Sequence, residues 1–153
     1  MPQFSTRRLV RHTASDMFDL VADVERYPEF VPLCAGMRMK SRTEKGEGVS
    51  VIVAVMTVAY KVIHQSFTSR ATLDRDNLNI LVEYLDGPFS RMQNRWTFRA
   101  SSETSCEVEF FIDYEFRSRT FAMLAGAVFD TVFRRMAAAF EKRADEVYGR
   151  KFA

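Results

Sequence analysis

Apolar and polar residues alternate most regularly from Cys106 to Phe116. Cys106, Val108, Phe110, Ile112, Tyr114 and Phe116 share one face, while Glu107, Glu109, Phe111, Asp113 and Glu115 take the other. A period of two marks a strand with one buried face. Met92, Asn94, Trp96 and Phe98 repeat the pattern against Arg91, Gln93, Arg95, Thr97 and Arg99, and Leu78, Ile80, Val82 and Tyr84 share a third strand face. Val62 to Leu73 alternates less cleanly, and Met37 and Met39 stand between Arg38, Lys40 and Arg42. Val49 to Tyr60 is apolar at nearly every position. Turn residues separate these runs at 44–48, 74–77, 86–88 and 100–104. Gln3 to Arg11 is a weaker first strand. After it, Thr13 or Ser15 can cap a short helix carrying Met17, Leu20, Val21 and Val24 at helical spacing.

From about Arg119 the period lengthens. Phe121, Leu124, Ala125, Val128, Phe129, Val132, Met136 and Phe140 fall to one side, with Arg134, Arg135, Glu141, Lys142, Asp145 and Glu146 on the other. The pattern predicts a helix of roughly 28 residues, on the order of 40 Å long, with Gly149 as its stop. Strands joined by short turns pair antiparallel. A long antiparallel sheet with one long apolar helix is expected to curl around it. This is an α+β helix-grip arrangement in a single domain, 1–153, with two short helices after the first strand. Such a curl leaves space inside, so a cavity is expected.

Composition sharpens the interior. The chain holds 14 Phe and 8 Met against 5 Tyr and 1 Trp. Phe has no polar handle and Met fills irregular gaps, so both suit a core or an apolar site. Val21 to Cys34 (V-A-D-V-E-R-Y-P-E-F-V-P-L-C) is an apolar loop that should not face water. It either plugs the core or lines a cavity mouth. The net charge of +2, from 22 basic and 20 acidic residues, is too balanced to announce a nucleic acid, and no DNA partner is expected. Cys34 and Cys106 follow no metal spacing and fit a reduced, cytoplasmic setting. The first residues lack the apolar core of a secretory signal, and no run approaches the ~18 apolar residues of a membrane span.

Two motifs carry a resemblance over nearly the whole chain: the loop Val21 to Cys34, and Asp86-Gly87-Pro88-Phe89-Ser90-Arg91-Met92 followed by Trp96-Thr97-Phe98. Together they resemble the START-like, helix-grip superfamily in its polyketide cyclase/dehydrase-related branch. The similarity is greatest to the coenzyme Q-binding protein family and its bacterial relatives, the ribosome association toxin (RatA) group. That family often has a Gly near the position of Asn94, which is absent here. The resemblance implies a lipophilic carrier or chaperone that binds a polyprenyl quinone such as ubiquinone and supports respiration or quinone biosynthesis, with no cofactor and no bond-making chemistry. It also implies an alternative, a toxin-like module that binds the large ribosomal subunit and blocks subunit association.

The residues that would line a quinone site are Tyr27, Pro28, Phe30, Val31, Pro32 and Leu33 of the loop, Phe89, Trp96, and Phe121, Leu124, Val128, Phe129, Val132 and Met136 of the helix. Packing of the core is the competing role for all of them. Tyr60, Asn94 and Tyr114 are candidate donors to the quinone carbonyls. On the valine-rich strand, Val51, Val53 and Val55 oppose Ile52, Ala54, Met56 and Val58. Either both faces are covered, or one is a patch for a protein or for peripheral contact with the inner face of the respiratory membrane. Arg91, Arg95 and Arg99 are expected to be answered by Glu107, Glu109, Asp113 and Glu115 on the next strand. Arg7, Arg8, Arg11, Arg38, Lys40 and Arg42 would form a basic patch for anionic lipid or ribosomal RNA if the first two strands are neighbours. His12 is expected at the surface and Glu29 in water. Neither histidine has a nucleophile or metal spacing around it, so no catalytic or metal site is assigned.

Overall fold

The computed structural model describes residues 3–149. The expected domain's first two and last four residues therefore lie outside the described residues. The strands are β1 (Gln3–Val10), β2 (Cys34–Gly46), β3 (Val49–Tyr60), β4 (Ile63–Asp74), β5 (Asn79–Asp86), β6 (Phe89–Ala100) and β7 (Cys106–Phe116). Helix α1 (Ala14–Ala22) and a 3-10 helix (Val24–Glu29) follow β1, and α2 (Arg119–Tyr148) closes the chain. All neighbouring strands pair antiparallel in the order β1-β7-β6-β5-β4-β3-β2. This is the α+β helix-grip fold, a curved sheet around one long helix.

Local chemistry sets the helix ends. The Thr13 hydroxyl accepts from the Asp16 amide at 3.1 Å, and Ser118 accepts from Phe121 N at 3.1 Å. Each satisfies one of the orphaned donors of a helix start. On α2, Ala125, Phe129, Val132, Phe133, Met136, Ala137, Phe140 and Ala144 are buried. Leu124 was expected on that side and is instead 67% exposed. The spacing of four residues from Leu124 to Val128 drifts off the buried stripe, because a helix repeats every 3.6 residues. Phe121 and Val128 are half-buried at its margin.

Three further expectations change. His12 is fully buried, and its Nε2 lies 2.7 Å from Asp145 Oδ1 on α2. Helix α2 runs back over the strand end and covers the imidazole. β1 and β2 sit on opposite edges of the sheet, so the six basic residues form no single patch; Arg7 pairs with Glu109, Arg8 with Glu141 and Arg42 with Glu44. On β3, Ile52, Ala54, Met56 and Val58 are buried, whereas Val51, Val53 and Val55 are half-buried. Their register partners are Thr43, Ser41 and Arg38 on one side and Thr72, Arg70 and Thr68 on the other. The outer valines form a narrow stripe between polar neighbours.

The His12–Asp145 contact ties the β1–α1 turn to the end of α2, and Tyr148 strengthens the tie by donating to Asp16 O at 3.0 Å. His12 Nδ1 has no hydrogen-bond partner, so Asp145 carries the ring's only polar contact among those observed. Asp145→Ala is expected to cost about 2 kcal/mol. That should lower the midpoint of a thermal melt by about 4–8 °C, with far-UV circular dichroism unchanged before the transition.

Candidate functional site

The inner faces of β2 to β7 and the buried stripe of α2 enclose a cavity, closed at one end by α1 and the 3-10 helix. Its volume is about 60 Å³. That is room for several water molecules, and far below the roughly 300–1,000 Å³ of a drug-sized ligand site. Val21, Val24, Ile52, Ala54, Phe67, Ala71, Leu73, Ile80, Val82, Phe110, Ile112 and Phe133 supply apolar walls, together with Met37, Met56, Met92 and Met136. Half of the chain's 8 Met therefore line one small space. An unbranched thioether with three rotatable bonds lets such a wall re-form around a guest.

Four lining residues carry polar side-chain atoms: Tyr27, Ser69, Asn94 and, through its indole N–H, Trp96. Asn94 Nδ2 donates to Phe111 O at 2.8 Å, which fixes the amide on the cavity wall. The Tyr27 hydroxyl donates to Val21 O. Burial, then the nearby Cys34 and Asp23, push its pKa far above the ordinary phenol value. Tyr27 is therefore a neutral wall, not a base. Burial also pushes both thiols, Cys34 and Cys106, up to about 11, so neither is a thiolate at neutral pH.

Of the residues named in the sequence as lining a quinone site, Tyr27, Trp96 and Met136 reach this cavity. The loop acts mainly as a plug. Tyr27 and Phe30 meet Phe140 of α2 at 5.2 Å and 4.9 Å, Trp96 meets the same ring at 5.2 Å, and Val31 is buried. Leu33 is half-buried, and its carbonyl accepts from Ala59 N at 3.0 Å. Pro28 is exposed. Phe30 and Pro32 face outward into a surface groove with Glu29, Arg135, Lys142 and Arg143. Glu29 is exposed there; hydrogen bonds from Arg26 and Arg143 hold its carboxyl below the usual range.

Phe89, Phe121, Phe129 and Val132 lie outside the cavity lining. The three rings belong to an aromatic layer between the cavity and the start of α2. In it Phe67–Phe89 stand at 5.4 Å, Phe89–Phe129 at 5.5 Å and Phe116–Phe121 at 5.4 Å. Tyr114 packs on Phe133 at 4.9 Å outside the lining, with burial pushing its pKa up to about 12, and Tyr60 is exposed at a hairpin tip. Of the three donors named in the sequence, only Asn94 lines the cavity. Ser69 was missed, although it lies on the same strand face as Phe67, Ala71 and Leu73. Across β6 and β7, Arg91 pairs with Asp113 and Glu115, both at 3.1 Å. Arg99 pairs with Glu107 at 3.6 Å and Glu109 at 3.1 Å. These acids answer Arg91 and Arg99, while Arg95, expected to be answered as well, stands opposite Phe111 in the register and makes no ion pair among the described residues. Among the described residues no three His, Cys, Asp or Glu side chains cluster to hold a metal ion, and no helix is long and apolar enough to cross a membrane.

A sheet gripping one long helix over an apolar, Met-walled interior defines the START-like class. A family model described as polyketide cyclase / dehydrase and lipid transport matches residues 10–141, and the chain belongs to that family. The ribosome association toxin RatA of Escherichia coli strain K12 is 36% identical over 148 residues, covering 97% of this chain and 90% of that protein. The coenzyme Q-binding protein COQ10 homolog B, mitochondrial, of Xenopus laevis is 28% identical, covering 97% of this chain and 60% of that protein. A solution structure of an 18 kDa protein from Caulobacter crescentus superposes with a TM-score of 0.77 at 32% identity, covering 98% of this chain and all of that one. A Streptomyces aromatase/cyclase shares the fold at a TM-score of 0.72, with 18% identity and coverage of 98% and 99%. The fold is thus common to binding proteins and enzymes.

Proposed function

We propose that this protein binds an isoprenoid quinone of the ubiquinone type between the sheet and α2, and carries it in support of respiratory electron transport or quinone biosynthesis. The observation that carries the reading is the wall of the cavity. Four thioethers and a ring of aliphatic and aromatic side chains surround two small polar groups, Ser69 and Asn94. A quinone head offers two carbonyls to such groups, and each methylene of its tail contributes ~0.8 kcal/mol on burial. The interior must widen to admit it, and the methionines supply the means. The role is binding without bond-making chemistry: the titratable group on the wall, Tyr27, is held neutral and engaged with backbone. A cytoplasmic protein meeting the inner face of the respiratory membrane fits this work. Similarity to the COQ10 homologue supports the ligand class.

Similarity to RatA favours a second reading, a module that binds the large ribosomal subunit and blocks subunit association. Its surface would be the exposed Arg38 and Lys40 on the β2 edge. One experiment separates the two. The protein is purified from its own host, extracted with organic solvent, and the extract analysed by mass spectrometry. A stoichiometric polyprenyl quinone is expected. A clean extract with no thermal shift on adding quinone rejects the carrier reading. Co-sedimentation with ribosomal subunits that persists as salt is raised would then put the second reading first.

A further inference from the structure

The exposed apolar side chains are not scattered. Of the seven large hydrophobic residues exposed among those described, five are Tyr60, Val62, Leu85, Met123 and Leu124. The strand register places them at one end of the sheet. The β3–β4 turn (Tyr60↔Ile63) projects farthest at this end; the β5–β6 turn lies beside Thr68, five residues back along β4 (Asp86↔Thr68), near the β6–β7 pair Phe89↔Phe116, after which α2 starts at Arg119. The other two, Leu9 and Val147, belong to the opposite end, where β1 pairs with the start of β7 and α2 terminates.

The exposure is extreme for aliphatic side chains: 93% for Val62, 86% for Met123 and 67% for Leu124. Water-facing residues of this kind at loop tips and on a helix start are a cost unless something covers them. Cations accompany them. Lys61 sits on the hairpin tip beside the Tyr60 ring, its Nζ 5.1 Å from the centroid, and Arg117 and Arg119 flank the start of α2. The acids nearby are Asp86 and Glu115, and Glu115 is already paired with Arg91.

We propose that this end of the molecule docks on the surface of an anionic bilayer. Val62, Met123 and Leu124 would enter the boundary between headgroups and acyl chains, Tyr60 would sit at headgroup level, and Lys61, Arg117 and Arg119 would meet lipid phosphates. Aliphatic tips rimmed by Lys, Arg and Tyr match that interface. A ribosomal RNA site would instead need basic side chains where these apolar tips stand. The placement also suits traffic. Within Arg119–Ala127 only Ala125 is buried, and Gly126 lies inside the same stretch. The first turns of α2 are thus its most weakly packed part, and the Phe116–Phe121 contact beneath them is part of the layer that separates this end from the cavity. The inference rests on the carrier reading for its purpose, but its test is independent of it.

The test is flotation with vesicles of phosphatidylcholine containing phosphatidylglycerol, beside vesicles of phosphatidylcholine alone. The protein is expected to float with the anionic vesicles. A double variant, Val62→Glu with Leu124→Glu, is expected to lose about tenfold in bound fraction. Leu9→Glu, an equally exposed site at the other end, is expected to float as the parent does. Both altered positions face water, so circular dichroism should show native variants. The idea is overturned if the parent stays in the aqueous fraction, if the double variant floats unchanged, or if Leu9→Glu loses as much. Quinone presented in detergent micelles distinguishes the two claims. Binding of quinone without flotation removes the docking surface and leaves the carrier. Flotation without quinone binding removes the carrier and leaves the surface.

Discussion

Gly87→Ala is expected to lower stability by on the order of 3 kcal/mol, and the thermal midpoint by about 6–12 °C. Gly87 has φ +143°, which L side chains rarely adopt, and a Cβ built there would stand 2.6 Å from Phe67 Cβ and 3.0 Å from Phe67 Cα. Phe67 cannot easily give way. Its strand pairs with β3 at Met56, and its ring packs on Phe89 at 5.4 Å and Phe129 at 6.3 Å. Relief would have to come from the backbone of two paired strands, so strain of about 1–3 kcal/mol adds to overpacking of similar size. Gly46→Ala is the control. Gly46 has φ +84° but nothing within 4 Å of the added methyl, so it carries the backbone penalty alone, about 1 kcal/mol. Equal losses at the two sites, read by chemical denaturation, would show that the Phe67 contact does not matter.

This glycine explains part of what the sequence made legible. Asp86-Gly87-Pro88 reads as a break between strands, and it also forces the β5–β6 turn against β4. Strand faces were readable because a period of two is strict: Ile52, Ala54, Met56 and Val58 point inward together. The gripping helix was readable because its stripe is long. What failed has two physical origins, helical drift and the distance between neighbours in sequence and neighbours in space. Leu124 looks inward by spacing, but steps of four residues drift against a 3.6-residue repeat and leave it off the buried stripe of α2. His12 looks exposed at a strand end until α2 brings Asp145 onto it, 133 residues later. Arg38 and Arg8 look like one patch until the sheet places their strands on opposite edges.

The candidate site shows the same logic. The apolar loop attracted attention because hydrophobic residues in irregular backbone are unusual, yet half of the cavity wall comes from ordinary inward positions of β3, β4 and β6. There Ala54, Ala71, Met56 and Met92 are small or flexible where a filled core would carry rigid bulk. Space inside a fold is a property of facing side chains summed across strands. No single segment announces it; Ser69 shares the inward face of β4 with Phe67, Ala71 and Leu73, but only the facing strands and α2 show that this face borders space.

Ala71→Leu is expected to weaken quinone binding at least about fifty-fold while leaving the protein folded. Ala71 is buried on β4 opposite Ile52 and Val82, and its methyl lies on the cavity wall. An isobutyl group there projects into a space of about 60 Å³ and takes up much of it. A ligand would have to displace those three added carbons, each ~0.8 kcal/mol of burial, which corresponds to nearly two orders of magnitude in affinity. Stability should change little, because filling a void offsets the strain of a larger side chain. Leu124→Arg, on the exposed face of α2, is the matched control and should bind quinone in detergent as the parent does. Titration calorimetry with a short-tailed quinone, beside far-UV circular dichroism, reads both variants. If folded Ala71→Leu protein binds as tightly as the parent, the ligand does not occupy the space between sheet and helix. The outer groove beside Phe30 and Pro32 would then become the site to test, since its volume of about 460 Å³ needs no rearrangement of the methionines.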